Sequence, residues 1–161
     1  MSSKDITSII NDMITKYIQM FPLDYNNKKR TPYSINMGYC YDFAEDVLNE
    51  MGLPYDGYTG STEDYWTMDG SDSFSFSSLK KIDKELPPKG LKITRKLCID
   101  LGRATHAWIN YQGRHYDAEC PEGVEKVLDL PIFKRIIDYY TEHQSPSLGE
   151  NTLSLSTLLN L

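Results

Sequence analysis

A cysteine, a histidine and two carboxylates stand in this chain where thiol chemistry would need them. Cys40 lies two residues past a glycine in Met37-Gly38-Tyr39-Cys40-Tyr41-Asp42-Phe43-Ala44. His106 opens a second stretch, Thr105 to Glu119, that also carries Asp117 and Glu119. A nucleophilic sulfur needs a thiolate, a base that later returns a proton to the leaving group, and a group that fixes the base's tautomer. Cys40, His106 and Asp117 are the candidates for those roles. Each has a plainer reading when taken alone. An isolated cysteine on a helix is more often a small core hydrophobe, and an isolated histidine on a strand is more often structural. The joint pattern is what points to chemistry.

Two elements must position these groups. Tyr39, Phe43, Ala44, Val47, Leu48 and Met51 recur at helical steps, and Gly52 follows as a stop signal. Cys40 is therefore expected in the first turn of a helix. There the unbonded N–H groups and the positive dipole end favour an anion, and hence the reactive thiolate. The backbone N–H of Cys40 would point at a developing oxyanion. Asn36, just upstream, would either cap the helix or offer its amide to that oxyanion. The second element is a hairpin. Aromatic and β-branched runs flank Gln112-Gly113, and a two-residue turn there pairs Tyr111 with Arg114, Trp108 with Asp117, and His106 with Glu119. His106, Trp108, Asp117 and Glu119 then share one face, with Asp117 diagonal to His106 and Glu119 directly opposite. Another turn length would exchange the roles of the two carboxylates.

The remaining elements read as scaffold. A helix is expected from Lys4 to Met20, with Ser3 as N-cap and an apolar stripe of Ile6, Ile9, Ile10, Met13, Ile14, Tyr17 and Ile18. Residues 23–37 are polar and turn-rich, with Lys28, Lys29 and Arg30 in a solvated loop. From Tyr55 to about Ser78 runs a long segment with Asp56, Glu63, Asp64, Asp69 and Asp72 and several aromatics. Such segments are functional loops or disordered, and the aromatics argue against disorder. It either faces a substrate or packs over the core. Tyr39, Tyr65, Trp66, Trp108 and Glu119 are the candidates for contacting a substrate. A short helix is expected from Ser78 to Leu86. A strand is expected from Leu91 to Leu101, with Cys98 as a passenger on its opposite parity. A turn is expected at Pro121-Glu122-Gly123-Val124, and a helix from Pro131 to Tyr140 with Ile132, Phe133, Ile136, Ile137 and Tyr140 inward. The leucines of the tail, residues 144–161, would dock, mediate association or fray.

The chain has 161 residues, 40% hydrophobic and 25% charged, which suits one α+β domain over residues 1–161. Its formal net charge of −6 argues against general affinity for nucleic acid or anionic membranes. No apolar run approaches the ~20 residues of a membrane span, and the N-terminus lacks the pattern of a secretory signal. The three cysteines, Cys40, Cys98 and Cys120, are odd in number and widely spaced. They form neither a disulfide framework nor a CxxC zinc pair, and a reduced cytoplasmic setting fits. The scattered carboxylates do not match a calcium loop. No metal and no cofactor is expected.

Gly38-Tyr39-Cys40-Tyr41-Asp42-Phe43-Ala44, running on to Met51-Gly52-Leu53-Pro54, resembles the cysteine motif of the transglutaminase-like superfamily. His106-Ala107-Trp108, with Gly113 and Tyr116-Asp117, resembles that superfamily's histidine and aspartate strands. The resemblance covers residues 37–55 and 105–118. It implies a papain-like α+β core, N-terminal helices packed on a small antiparallel sheet, with Cys40 as nucleophile, His106 as general base and acid, and Asp117 as orienting carboxylate. It further implies a cysteine-dependent hydrolase or acyl transferase acting on an amide, peptide or related acyl bond through a Cys40 thioester. The substrate would be a peptide, a protein or a small amide. Arylamine acetyltransferases share the triad but enter their cysteine through two glycines, whereas Met37 precedes Gly38 here. The competing expectation is a non-catalytic papain-like module that binds a protein partner through residues 55–76 or the leucine-rich tail.

Overall fold

A computed structural model describes residues 5–62, 68–69, 73–74, 91 and 94–143. The expected Ser78–Leu86 helix, the candidates Tyr65 and Trp66, and the tail 144–161 lie outside the described residues. The chain divides into two compact units: residues 1–60 with 106–125, and residues 61–105 with 126–161.

The first unit is built on helices and a sheet. Helix α1, Ile6–Met20, buries Ile6, Ile9, Ile10, Met13 and Tyr17, the greater part of the stripe read from the sequence. Its N-cap is Asp5, with no side-chain cap bond, so the helix starts two residues later than expected. A short helix α2, Pro32–Asn36, interrupts the stretch expected to be a loop. Thr31 and Ser34 cap each other's backbone N–H groups, and Pro32 supplies a preset φ at the first helical position. The signal was present, but with Ser34 where a Glu or Gln usually marks the capping box. Helix α3, Cys40–Glu50, begins at the cysteine and buries Cys40, Phe43, Ala44, Val47 and Leu48. Asp42 in its first turn complements the helix dipole. Helix α4, Tyr55–Tyr58, leads into strand β1, Thr59–Ser61, so the segment expected to be irregular after Gly52 begins with a helical turn and a strand.

Strands β4, Ala107–Tyr111, β5, Arg114–Asp117, and β6, Cys120–Val124, complete a four-stranded sheet in the order β1-β4-β5-β6. Strands β2, Met68–Asp69, and β3, Ser73–Phe74, pair separately. The β4–β5 register pairs Tyr111 with Arg114 and Ile109 with Tyr116, as the two-residue turn required. Gln112 and Gly113 both have positive φ (48° and 76°), the requirement of the turn type whose twist matches a hairpin. Residues 121–124 form a strand rather than a turn. Pro121 removes one donor, which an edge strand tolerates, and Thr7 Oγ1 donates to its carbonyl at 2.9 Å. Ile109, Tyr116 and Ala118 pack with the buried faces of α1 and α3 into one core. The architecture is α+β with a small antiparallel sheet.

In the second unit, residues 95–103 are helical (Arg95–Arg103), not a strand. Thr94 caps the helix by accepting from Leu97 N, and Leu97, Asp100, Leu101 and Ala104 are buried at helical steps. The strand reading set Leu91, Ile93, Arg95, Leu97, Ile99 and Leu101 on one parity and left Asp100 on the other, whereas the helix buries Asp100. Helix Pro131–His143 packs on it and buries Ile132, Phe133, Ile136, Ile137 and Tyr140 as expected, preceded by a 3-10 turn at Val127–Asp129. Between the two helices, Asp100 accepts from Lys96 Nζ at 2.8 Å and from the Tyr140 hydroxyl. No helix among the described residues is long and apolar enough to cross a membrane.

Candidate active site

His106 immediately precedes β4, and Asp117 ends β5. The hairpin register makes them diagonal neighbours, and the structure brings them into contact: His106 Nε2 lies 2.9 Å from Asp117 Oδ2. The imidazole is 0% exposed and the carboxylate 2%. An ionised carboxylate only accepts, so Nε2 carries the proton of that bond and Nδ1 is the nitrogen left for the thiol. Asp117 is itself held, because its Oδ1 accepts from the backbone N–H of Glu119 at 2.9 Å.

Cys40 occupies the first position of α3 and is buried. It lies near enough to the His106 ring to raise the pKa of the imidazole. Burial is the largest single influence on His106 and by itself would lower its pKa. The hydrogen bond and charge of Asp117, with the neighbouring Cys40, outweigh burial and raise the pKa to about 9. His106 therefore keeps its proton at neutral pH. Cys120 differs: burial, followed by the charge of Asp117, pushes its thiol up to about 11. The residue before the histidine, Thr105, has φ of 43°, a conformation costly for a β-branched side chain.

Other candidates take up different positions. The carboxylate seen on the His106 ring is that of Asp117, and Glu119 is engaged by Asn36. Glu119 sits in the turn between β5 and β6, where its Oε2 accepts from Asn36 Nδ2 at 3.1 Å. Asn36, at the end of α2, is 2% exposed, and its Oδ1 accepts from Ala118 N at 3.3 Å. It does not cap α3, whose N-cap is Tyr39 with no side-chain bond. Its amide instead ties the segment before the cysteine to the turn after the aspartate. Sequence reasoning missed this strut, which joins residues 83 apart. Trp108 is 1% exposed, lies 6.2 Å from the His106 ring between centroids, and donates from Nε1 to His115 Nδ1 at 3.2 Å. Tyr39 is half-buried in an aromatic stack. Tyr55, the first residue of α4, lies within electrostatic reach of Cys40; burial first, then neighbouring charges, raise its pKa.

Among the described residues no group of three or more His, Cys, Asp or Glu side chains is placed to hold a metal ion. No family model, curated protein or solved structure matches this chain.

Proposed function

We propose that the chain is a cytoplasmic cysteine hydrolase or acyl transferase with a papain-like, transglutaminase-like core and a Cys40-His106-Asp117 triad. The observation that carries this reading is the buried imidazole, joined to the Asp117 carboxylate through Nε2 and lying within electrostatic reach of Cys40 at the start of α3. A merely structural ion pair has no need of the sulfur.

The chemistry follows from the arrangement. Cys40 Sγ, as the thiolate, attacks a carbonyl carbon of the amide. The oxyanion that forms is met by the backbone N–H of Cys40 in the first turn of α3. His106, protonated at Nδ1, gives that proton to the leaving nitrogen as the C–N bond breaks, leaving a thioester and a free amine. His106 then takes a proton from water or an acceptor amine, which attacks the thioester. The sulfur leaves as thiolate and His106 is again protonated. Asp117 fixes the ring through Nε2–H and stabilises the imidazolium throughout. A reducing cytoplasm keeps the thiol available, and neither Cys40 nor Cys120 is in a disulfide.

Alkylation tests this directly. Treated with iodoacetamide at pH 6 and mapped by mass spectrometry, the chain should carry its label on Cys40, while Cys120, pushed up to about 11, stays unmodified. Label on Cys98 or Cys120 with Cys40 untouched would mean that the nucleophile is wrongly assigned.

A further inference from the structure

Among the described residues, the large apolar side chains left exposed are Met20, Phe21, Leu23, Tyr25 and Met37. Single exposed apolar residues are ordinary, but a group of them on adjoining segments is a mark of a binding surface. These residues belong to the end of α1, the loop that follows it, and the approach to Cys40. We infer that the loop 21–30 is the substrate-recognition wall of the Cys40 site, built for a polypeptide that presents an apolar side chain flanked by acidic residues. This rests on the reading of Cys40 as nucleophile and adds the substrate class.

The loop is preorganised. Leu23 and Lys29 form an isolated antiparallel bridge, and Asp24 Oδ1 accepts the backbone N–H groups of Asn26 and Lys28 at 2.8 and 2.9 Å. Arg30 is 3% exposed, and its guanidinium donates to the carbonyls of Phe21 and Leu23. It also lies 4.8 Å over the Tyr39 ring. That ring is stacked on Phe21 at 5.2 Å and on Tyr25 at 6.1 Å between centroids. A surface fixed before binding loses little entropy when it is occupied.

The loop also packs against the segment that leads into Cys40. Tyr25 rests on Gly38, where a Cβ would stand 2.5 Å from its Cε2. Gly38 is two residues from Cys40, at most about 7 Å of extended chain. A substrate side chain one or two positions from the reacting carbonyl spans the same distance, whereas a small amide would not reach the loop. Charge completes the match. Lys28 and Lys29 are both exposed on this loop in a chain of net charge −6, so the wall is basic where the protein as a whole is acidic. Acidic residues beside the apolar anchor are attracted to it.

The test uses amide chemical-shift mapping on the full Cys40→Ala chain, with acetyl-Asp-Phe-Gly-Gly-amide, its Gly-for-Phe analogue and its Lys-for-Asp analogue as probes. The Phe peptide should bind at least about tenfold more tightly than the Gly peptide, shift the amides of residues 21–30 and 37–38, and outcompete the Lys analogue. Tyr25→Ala and Leu23→Ser, both at exposed positions, should remove the preference. Equal affinity for Phe and Gly peptides, or a preference unchanged in both variants, overturns the proposal. Iodoacetamide labelling of Cys40 in the otherwise native Tyr25→Ala chain should be unaltered. It reports on the thiol alone, so failure of the wall and failure of the nucleophile are told apart.

Discussion

Two buried carboxylates in this protein hold cations in different ways. Asp100 binds Lys96, whose side chain is 51% exposed, and the Tyr140 hydroxyl, and so joins two helices. Asp117 binds His106, and neither is open to solvent. Burial of the carboxylate is nearly the same in both, so burial does not separate structure from chemistry. The cation does. Lys96 is charged at any physiological pH, and its raised pKa moves it further from titration; burial opposes that shift, and the bonds to Asp100 and Tyr140 overcome it. His106 is an imidazole, able to give up its proton and take it back within a reaction cycle, and it lies within electrostatic reach of a thiol.

The largest expected effects test the sulfur's part in this contrast. Cys40→Ala should abolish thioester-dependent turnover, by about 10⁶-fold if the triad acts as one unit, with thermal unfolding nearly unchanged. His106→Ala should abolish turnover as well but also destabilise the fold, by about 3–5 kcal/mol, because it strands a buried carboxylate. A His106→Ala chain that unfolds like the native protein would show that Asp117 is hydrated there and the pair less sealed than described.

Next come the carboxylates themselves. Asp117→Asn should lower kcat by about 10⁴-fold through loss of the imidazole's tautomer control. Asp100→Asn should leave kcat unchanged and lower Tm. Glu119→Gln, which keeps an acceptor for Asn36, should act on KM if at all. Measuring kcat and Tm for the three variants side by side decides the matter, and a dead Glu119→Gln enzyme would exchange the roles of Asp117 and Glu119.

The smallest effect is in pH. A histidine whose folded pKa is raised contributes stability that is fully present below its unfolded value, about 6.5, and is lost as pH rises through about 9. Denaturant midpoints should therefore decline across that window in the native chain and stay flatter in His106→Ala. The Lys96–Asp100 pair adds no slope there, since a raised lysine pKa contributes below its ordinary 10.5 and is lost only above it. A native chain as stable at pH 9 as at pH 6 would contradict the charged imidazole.

How far the sequence revealed this arrangement depended on how local each signal was. Helices α1 and α3 were legible because their stripes contain only apolar residues at one period. The hairpin was legible because Gln112-Gly113 fixes its own turn, and the turn fixed which side chains met His106. Helix Arg95–Arg103 was misread because its buried face includes Asp100, which periodicity counts as exposed until Lys96 and Tyr140 are seen around it. Strand β6 was misread because Pro121 and Gly123 signal a turn to any local rule, while their edge position is a property of the whole sheet. The Asn36–Glu119 strut left no local trace at all.

The Gln112-Gly113 turn sorts the residues after it into odd and even. A single-codon insertion or deletion that shifted β5 along β4 by one residue would hand Tyr116 or Ala118 the place of Asp117 and leave the histidine without its carboxylate. A two-codon change would restore the odd-even match. Changes that slide the two strands past each other are therefore filtered by evenness rather than by size.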